Sequence, residues 1–149
     1  MNHFFLKTTF LGILGSFLGI LSSFLGKGEN IFMRQKNIKT RCEKRKLPKF
    51  KDICRTYDAI SYAYADILVK NEDIREISCN VLLDGLPDGT YTSDFVCVKE
   101  NGDLMVRECV YRKHLTKPMT IKLLDASKSF WQNRGVVDWG IVIDMENLN

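Results

Sequence analysis

The sequence has few of the side chains that build zinc sites or disulfide frameworks. Its 149 residues include two histidines and five cysteines, and no two cysteines stand in a C-x-x-C spacing. An odd number of unpaired cysteines is not typical of a disulfide-stabilised secreted domain or of a structural zinc site. We therefore expect free thiols and a cytoplasmic, reducing compartment.

Acidic side chains are nearly absent from residues 34–51. This segment holds nine Lys or Arg residues against one acid, whereas the chain from Asp52 onward carries 16 acidic and 11 basic side chains. A basic arm, residues 33–51, thus precedes a mildly acidic domain. Such arms occur as solvated tails, and they also bind the phosphates of nucleic acids. We expect DNA contacts from the following cations of the arm: Arg34, Lys36, Lys39, Arg41, Lys44, Arg45 and Lys46.

Residues 1–32 form a hydrophobic leader with a seven-residue repeat that begins at Phe10 and again at Phe17. The apolar stretch 8–26 is close to the roughly 20 residues that a helix needs to cross a bilayer. The Lys and Arg residues after it would keep the domain in the cytoplasm. The alternative is a misassigned start, because Met33 begins a sequence that reads as self-sufficient. A membrane is expected as a partner only if residues 1–32 belong to the native protein.

Residues 52–149 form the predicted domain, which opens with a helix. Apolar residues at helical spacing indicate a helix that Thr56 caps and that ends near Lys70. Three β-type runs follow, at 74–83, 92–99 and 104–111.

The second half of the domain has clear turn and end signals. Asn101-Gly102 between two β-type runs is typical of a hairpin turn. Pro118 marks the start of a second helix and Gly135 its end. A last strand covers 136–144, and Phe130, Trp131 and Trp139 are expected in the core. The order α-β-β-β-α-β predicts an α/β fold with a central mixed sheet flanked by helices.

Two acids, Asp94 and Glu108, lie in the two strands of the predicted hairpin. Because the turn places these strands side by side, we expect both carboxylates to converge at one end of the sheet. Carboxylate oxygens are the ligands that Mg²⁺ prefers, and the ion could activate a water for phosphodiester hydrolysis. The structural alternative is that Asp94 caps backbone donors at a strand end and Glu108 pairs with Arg107 or a lysine on an exposed face.

This pattern resembles the PD-(D/E)xK nuclease core and, within it, the TnsA-type endonucleases of transposons. The residues that carry the resemblance lie between 57 and 143, and they include Thr92-Ser-Asp-Phe-Val-Cys97 and Met105-Val-Arg-Glu-Cys-Val110. The resemblance implies a restriction-endonuclease-like core, Mg²⁺ or Mn²⁺ held by Asp94 and Glu108, DNA cut at transposon ends, and a partner transposase.

The sequence departs from the family at two catalytic positions. Where the family has its lysine, two residues after the second acid, this chain has Val110. Lys113, Lys117 and Lys122 are the candidates to replace it, with Lys113 first. The family's helical acid aligns with Ser61, and Asp58 and Asp66 are nearby substitutes, of which Asp66 joins the candidate catalytic set.

The resemblance therefore implies a metal-dependent DNA endonuclease of a mobile genetic element, with catalysis impaired by the missing lysine. The alternative is a non-catalytic DNA-binding or transposase-partner subunit that keeps the same fold.

Overall fold

The computed structural model describes residues 6–9, 41–86 and 91–145, with the backbone alone for residues 6–9. Most of the predicted leader lies outside these ranges, as do residues 87–90. The arm residues Arg34, Lys36 and Lys39 also lie outside them. In the part of the chain that is described, no helix combines the length and the apolar character needed to cross a membrane.

The described residues form a mixed sheet, a small hairpin and two α-helices. The sheet has the strand order β1-β7-β6-β5-β4, in which β6 and β7 are parallel and all other neighbours are antiparallel. The bounds are β1 (Leu6–Thr9), β2 (Glu43–Arg45), β3 (Cys54–Thr56), α1 (Ala59–Lys70), β4 (Ile74–Leu83), β5 (Tyr91–Lys99), β6 (Leu104–Cys109), α2 (Pro118–Gln132) and β7 (Asp138–Asp144), with a 3₁₀ turn at Arg112–His114. The prediction of an α/β domain with a mixed sheet is confirmed.

The helix ends show which local signals decide the boundaries. Asp58, not Thr56, caps α1: its Oδ1 accepts the Ser61 N–H at 2.7 Å, and Thr56 lies buried in β3. The predicted cap was wrong because the carboxylate two residues further on competes for the same donors. Pro118 does begin α2, and Gly135, at a φ of 82°, follows its end.

The hairpin between β5 and β6 forms where Asn101-Gly102 predicts it. Gly102 has a φ of 91°, a conformation that glycine adopts without strain. The Asn101 side chain accepts the Asp103 N–H at 2.9 Å, and the Lys99 N–H reaches the Asp103 carbonyl at 2.8 Å. This turn sets the register that pairs Val98 with Leu104.

Each face of the sheet carries its own apolar cluster and its own helix. Helix α2 contributes Ile121, Leu124 and Trp131 to one cluster, together with Trp139 of β7. The cluster on the other face includes four side chains of α1, which are Ile60, Tyr64, Ala65 and Leu68. A side chain of the sheet can therefore be assigned to the α1 face or to the α2 face by the cluster that it joins.

The second half of the basic arm is ordered against the domain. Strand β2 pairs with β3, and the Lys51 N–H and the Lys49 carbonyl form hydrogen bonds of 2.9 Å with Ile77 of β4. Leu47 and Phe50 pack on the α1-face cluster. Residues 41–56, which we call the basic hairpin, are thus a fixed part of the surface rather than a solvated tail.

At one end of the sheet, Asp138 holds two cations from neighbouring strands. Lys99 Nζ lies 2.6 Å from Oδ2, and Arg107 Nη2 lies 2.7 Å from Oδ1. Burial would raise the pKa of the Asp138 carboxyl, but the hydrogen bonds from Lys99 and Arg107 lower it below its ordinary value. The ion pairs join β5, β6 and β7.

The pKa of Asp138 is lower in the folded than in the unfolded protein. The ionised carboxylate therefore stabilises the fold at any pH above the pKa of the unfolded protein. This stabilisation is lost as the pH falls through the pKa of the folded protein. We expect Asp138→Ala to lower the free energy of unfolding by roughly 1–3 kcal/mol at neutral pH, because it leaves the buried Arg107 short of an acceptor. Urea unfolding over a pH series should show the gap to the wild type narrowing below about pH 4. Glu100→Ala, at an exposed acid, is the control, and a gap that does not depend on pH would contradict this role.

Candidate functional site

The two predicted carboxylates lie where β5 and β6 separate. The backbone register of these strands runs from Val98–Leu104 to Phe95–Arg107 and does not continue beyond it. Past that point the Cys109 N–H donates to Asp94 Oδ2 at 2.8 Å, and the Asp94 N–H donates to Glu108 Oε2 at 3.1 Å. Each carboxylate thus accepts a backbone donor from the opposite strand, in place of the carbonyl that a continuous ladder would supply.

The alternation of β5 also breaks at Asp94. Tyr91 joins the α2-face cluster, whereas Phe95 and Cys97 join the α1-face cluster, although an unbroken strand would place all three on one face. Across the strand pair, the register places Asn80 opposite Asp94, and Asn80 has a φ of 52°. A positive φ inside a strand is uncommon and marks a local change of backbone direction. Both strands change face at the position of the candidate acid.

Glu108 points to the α2 face and has no exposed surface. Its Oε1 accepts the Ser127 hydroxyl at 2.7 Å, and its Oε2 accepts the Tyr91 hydroxyl at 3.1 Å in addition to the Asp94 N–H. Burial first, and then the charge of Glu108, raise the pKa of Tyr91 well above its ordinary value, so that this phenol remains a donor. Three protein donors satisfy one buried carboxylate.

A second set of polar contacts extends from this carboxylate. Ser127 Oγ accepts the Trp139 indole N–H at 3.1 Å, and Ser93 Oγ accepts the Trp131 indole N–H at 2.9 Å. The two serine oxygens lie 3.4 Å apart. The network therefore ties β5, β6, β7 and α2 to Glu108.

The remaining candidates for catalysis are distributed around this centre. Lys113 is exposed on the 3₁₀ turn, with its Nζ 5.6 Å from the Tyr111 ring centroid, and Val110 packs against the α2-face cluster. Lys122 is partly buried on α2. Asp66 lies on α1, where its Oδ1 binds Arg45 Nη1 at 2.8 Å.

Arg45, predicted to bind DNA, has three contacts inside the protein. Besides the ion pair with Asp66, its Nη2 donates to the Tyr62 carbonyl at 2.6 Å, and its guanidinium lies 3.6 Å from the Tyr62 ring centroid. This arginine anchors the basic hairpin to α1. By contrast, Arg41, Lys44 and Lys46 are exposed.

Asp94 and Glu108 accept protein donors that a hydrated Mg²⁺ ion would have to replace. Mg²⁺ keeps several of its waters and requires carboxylate oxygens with accessible lone pairs. Both oxygens of Glu108 and Oδ2 of Asp94 accept protein donors, and the two residues are 0% and 4% exposed. Within the described ranges, no three His, Cys, Asp or Glu side chains cluster in a way that could hold a metal ion.

Sequence reasoning found both acids but missed the side chains that satisfy them. Trp131 and Trp139 were expected in the core, and they are buried there, but their indole N–H groups also take part in the network. Buried tryptophans need an acceptor for the indole N–H, but the sequence does not identify it, because Ser93 and Trp131 are 38 residues apart.

Comparison with known proteins identifies no family. No protein-family model matches this sequence, and a search of curated proteins finds no match.

The contacts of Glu108 indicate a structural role as a hydrogen-bond acceptor. Glu108→Ala removes the acceptor of three donors: the hydroxyls of Tyr91 and Ser127 and the N–H of Asp94. We expect a loss of at least roughly 3 kcal/mol in the free energy of unfolding, from about 1 kcal/mol or more for each orphaned donor. Glu108→Gln, which keeps one acceptor oxygen, should lose less, and Glu72→Ala, at an exposed acid, should change little. Denaturant unfolding measures all three. A loss under about 1 kcal/mol for Glu108→Ala would contradict the structural role.

Proposed function

We propose that this protein is a DNA-binding subunit with a nuclease-like core, which acts beside a partner transposase of a mobile genetic element. The observation that carries the proposal is the charge of the basic hairpin. Its exposed surface presents five cations and two acids; the cations are Arg41, Lys44, Lys46, Lys51 and Arg55, and the acids are Glu43 and Asp52. Clustered cations on a fixed surface bind the DNA backbone through phosphate contacts and counterion release.

Pre-organisation supports this assignment. Arg45 holds β2 on α1, and Lys49 Nζ donates to the Asn71 carbonyl at 2.7 Å. The exposed cations on either side of these anchors are held by the same backbone, so they do not need to be ordered on binding, and less entropy is lost than with a flexible tail.

The resemblance to TnsA-type endonucleases is the basis for proposing a role beside a transposase. The burial of the Asp94 and Glu108 carboxylates is the basis for proposing a non-catalytic role. With Glu108 satisfied by protein donors and Val110 at the position of the family's lysine, the core serves as a scaffold that presents the basic hairpin. The proposed role of Asp94 and Glu108 is structural: their hydrogen bonds connect β5 to β6 beyond the point where the backbone pairing of the two strands ends.

The binding proposal predicts a charge-specific loss of affinity. We expect Lys44→Gln/Lys46→Gln to weaken binding of the full-length chain to duplex DNA about tenfold or more at low salt. The slope of log affinity against log salt should fall by about 2, because each phosphate contact contributes close to 0.9. Fluorescence anisotropy with a labelled duplex measures both quantities.

The control is Lys117→Gln/Arg134→Gln, which removes two exposed charges at the two ends of α2, on the other face of the sheet. Equal losses in the two double variants would show that net charge, rather than the basic hairpin, determines binding. An unchanged affinity in Lys44→Gln/Lys46→Gln would contradict the proposal outright.

A metal-dependent endonuclease is the second candidate, and the convergence of Asp94 and Glu108 favours it. Glu108 Oε2 lies 3.1 Å from the backbone nitrogen of Asp94, so the two acids are direct neighbours. For catalysis, the carboxylates would have to exchange their protein donors for Mg²⁺ or Mn²⁺, with Lys113 or another lysine supplying the missing amine.

Cleavage assays separate the two candidates. We expect the wild type to nick supercoiled DNA, with Mg²⁺ or Mn²⁺, no faster than the isosteric variant Asp94→Asn/Glu108→Gln. A rate at least about 100-fold above that variant would establish the endonuclease and overturn the scaffold role, since metal-ligand loss typically costs that much or more. A further comparison uses Val110→Lys and, as its control, Val110→Met. Cleavage that appears only in Val110→Lys would show that the missing amine limits the chemistry.

A further inference from the structure

Two thiols lie side by side where the basic hairpin meets the sheet. Cys54 in β3 has no exposed surface, whereas Cys79 in β4 is partly exposed. The Cys79 Sγ lies 3.7 Å from the Ile53 carbonyl oxygen, and the neighbouring Asn80 side chain donates to the Arg55 carbonyl at 2.8 Å. Ile53 and Arg55 flank Cys54 in the chain, and they contact Cys79 and Asn80 of β4. Cys54 of β3 therefore lies next to Cys79 of β4. Both cysteines are free thiols.

The pair is chemically asymmetric. A hydrogen bond from the Cys54 thiol, opposed by burial and supported by the Arg55 backbone N–H, lowers the pKa of Cys79 to about 6. The same hydrogen bond, together with burial, raises the pKa of Cys54. Cys79 is also the more exposed of the two sulfurs, so a reagent reaches it first, and the hydrogen bond from Cys54 favours its thiolate, which is the nucleophilic form.

The charged groups around the pair belong to three elements. Arg45 of β2 and Asp66 of α1 act on Cys54 with opposite signs, and Arg55 of β3 stabilises the Cys79 thiolate. Since Arg45 and Asp66 form an ion pair with each other, the hydrogen bond between the thiols remains the largest influence on both sulfurs.

We propose that Cys79 and Cys54 form a modification site that reacts with low-molecular-weight disulfides of the glutathione class and closes to an intramolecular disulfide. The Cys79 thiolate attacks one sulfur of the reagent, forms a mixed disulfide and releases the first thiolate, which takes up a proton. Cys54 then gives up its proton and attacks the Cys79 sulfur, and the second reagent thiolate leaves. Two protein thiols are oxidised and one reagent disulfide is reduced to two thiols.

The bond would join β3 to β4 covalently. In the β2–β3 pair, Cys54 stands opposite Arg45, the residue that anchors the basic hairpin to α1. Oxidation therefore fixes the basic hairpin to the sheet at its anchoring point, whether or not the protein binds DNA.

The test treats the reduced full-length protein with oxidised glutathione at pH 7, stops the reaction by alkylation, and maps the products by peptide mass spectrometry. We expect a Cys54–Cys79 cross-linked peptide in the wild type. Cys54→Ser should instead accumulate glutathione on Cys79, because the resolving thiol is missing. Cys79→Ser should leave the buried Cys54 unmodified, and Cys42→Ser, which changes a partly exposed thiol elsewhere, should behave as the wild type does.

A second measurement does not depend on the variants folding. The rate of Cys79 alkylation in the wild type, followed against pH, should show an inflection near 6, whereas an unperturbed thiol titrates near 8.5. Glutathione on Cys42 with none on Cys79, or a Cys79 inflection near 8.5, would overturn the proposal. A disulfide in the wild type that joins any other pair would overturn it as well.

Discussion

The core of this protein depends on how one fully buried carboxylate is satisfied. Glu108 sits in the middle of the sheet with no exposed surface, where a carboxylate without hydrogen-bond donors would be strongly destabilising. The chain resolves this by directing a phenol, a serine hydroxyl and a backbone N–H at its two oxygens. Because these donors come from β5 and α2, satisfying the charge also fixes how α2 lies on the sheet.

The separation of β5 from β6 follows from the same requirement. If the backbone ladder continued past Phe95–Arg107, carbonyl groups rather than carboxylates would receive the next N–H donors. The reversal at Asn80 and Asp94 directs Tyr91 and Ser93 to the α2 face, where their hydroxyls reach Glu108 and Trp131. The irregular strand is thus the geometric condition for the hydrogen-bond network.

Short-range signals in the sequence were sufficient for most of the fold. Asn101-Gly102 and Pro118 act through local backbone preferences and mark boundaries where the structure has them, whereas the helix expected to end at Gly135 ends at Gln132, with Asn133 as its C-cap. The wrong cap at Thr56 has a local origin too, since two candidate oxygens stand two residues apart and the buried strand β3 takes one of them. The site was harder to predict because Ser127 and Glu108 meet only after α2 packs on the sheet, which no window of sequence contains.

The partners of Arg45 could not be predicted for a similar reason. In the sequence it is one of nine cations and has no distinguishing neighbour, yet in the fold it binds Asp66 and lies over Tyr62, both on α1. A cation with its charge compensated contributes little to a long-range field, whereas Lys44 and Lys46 on either side of it remain exposed.

Charge counts taken from the sequence therefore overstate the exposed positive charge of the basic hairpin and do not indicate its rigidity. The same three-residue strand pair brings Arg45 opposite Cys54, so the contact that makes the hairpin rigid also keeps Cys54 buried against Cys79. The proximity of those thiols is a consequence of the anchoring of the basic hairpin, because the packing of β3 against β4 is what buries Cys54.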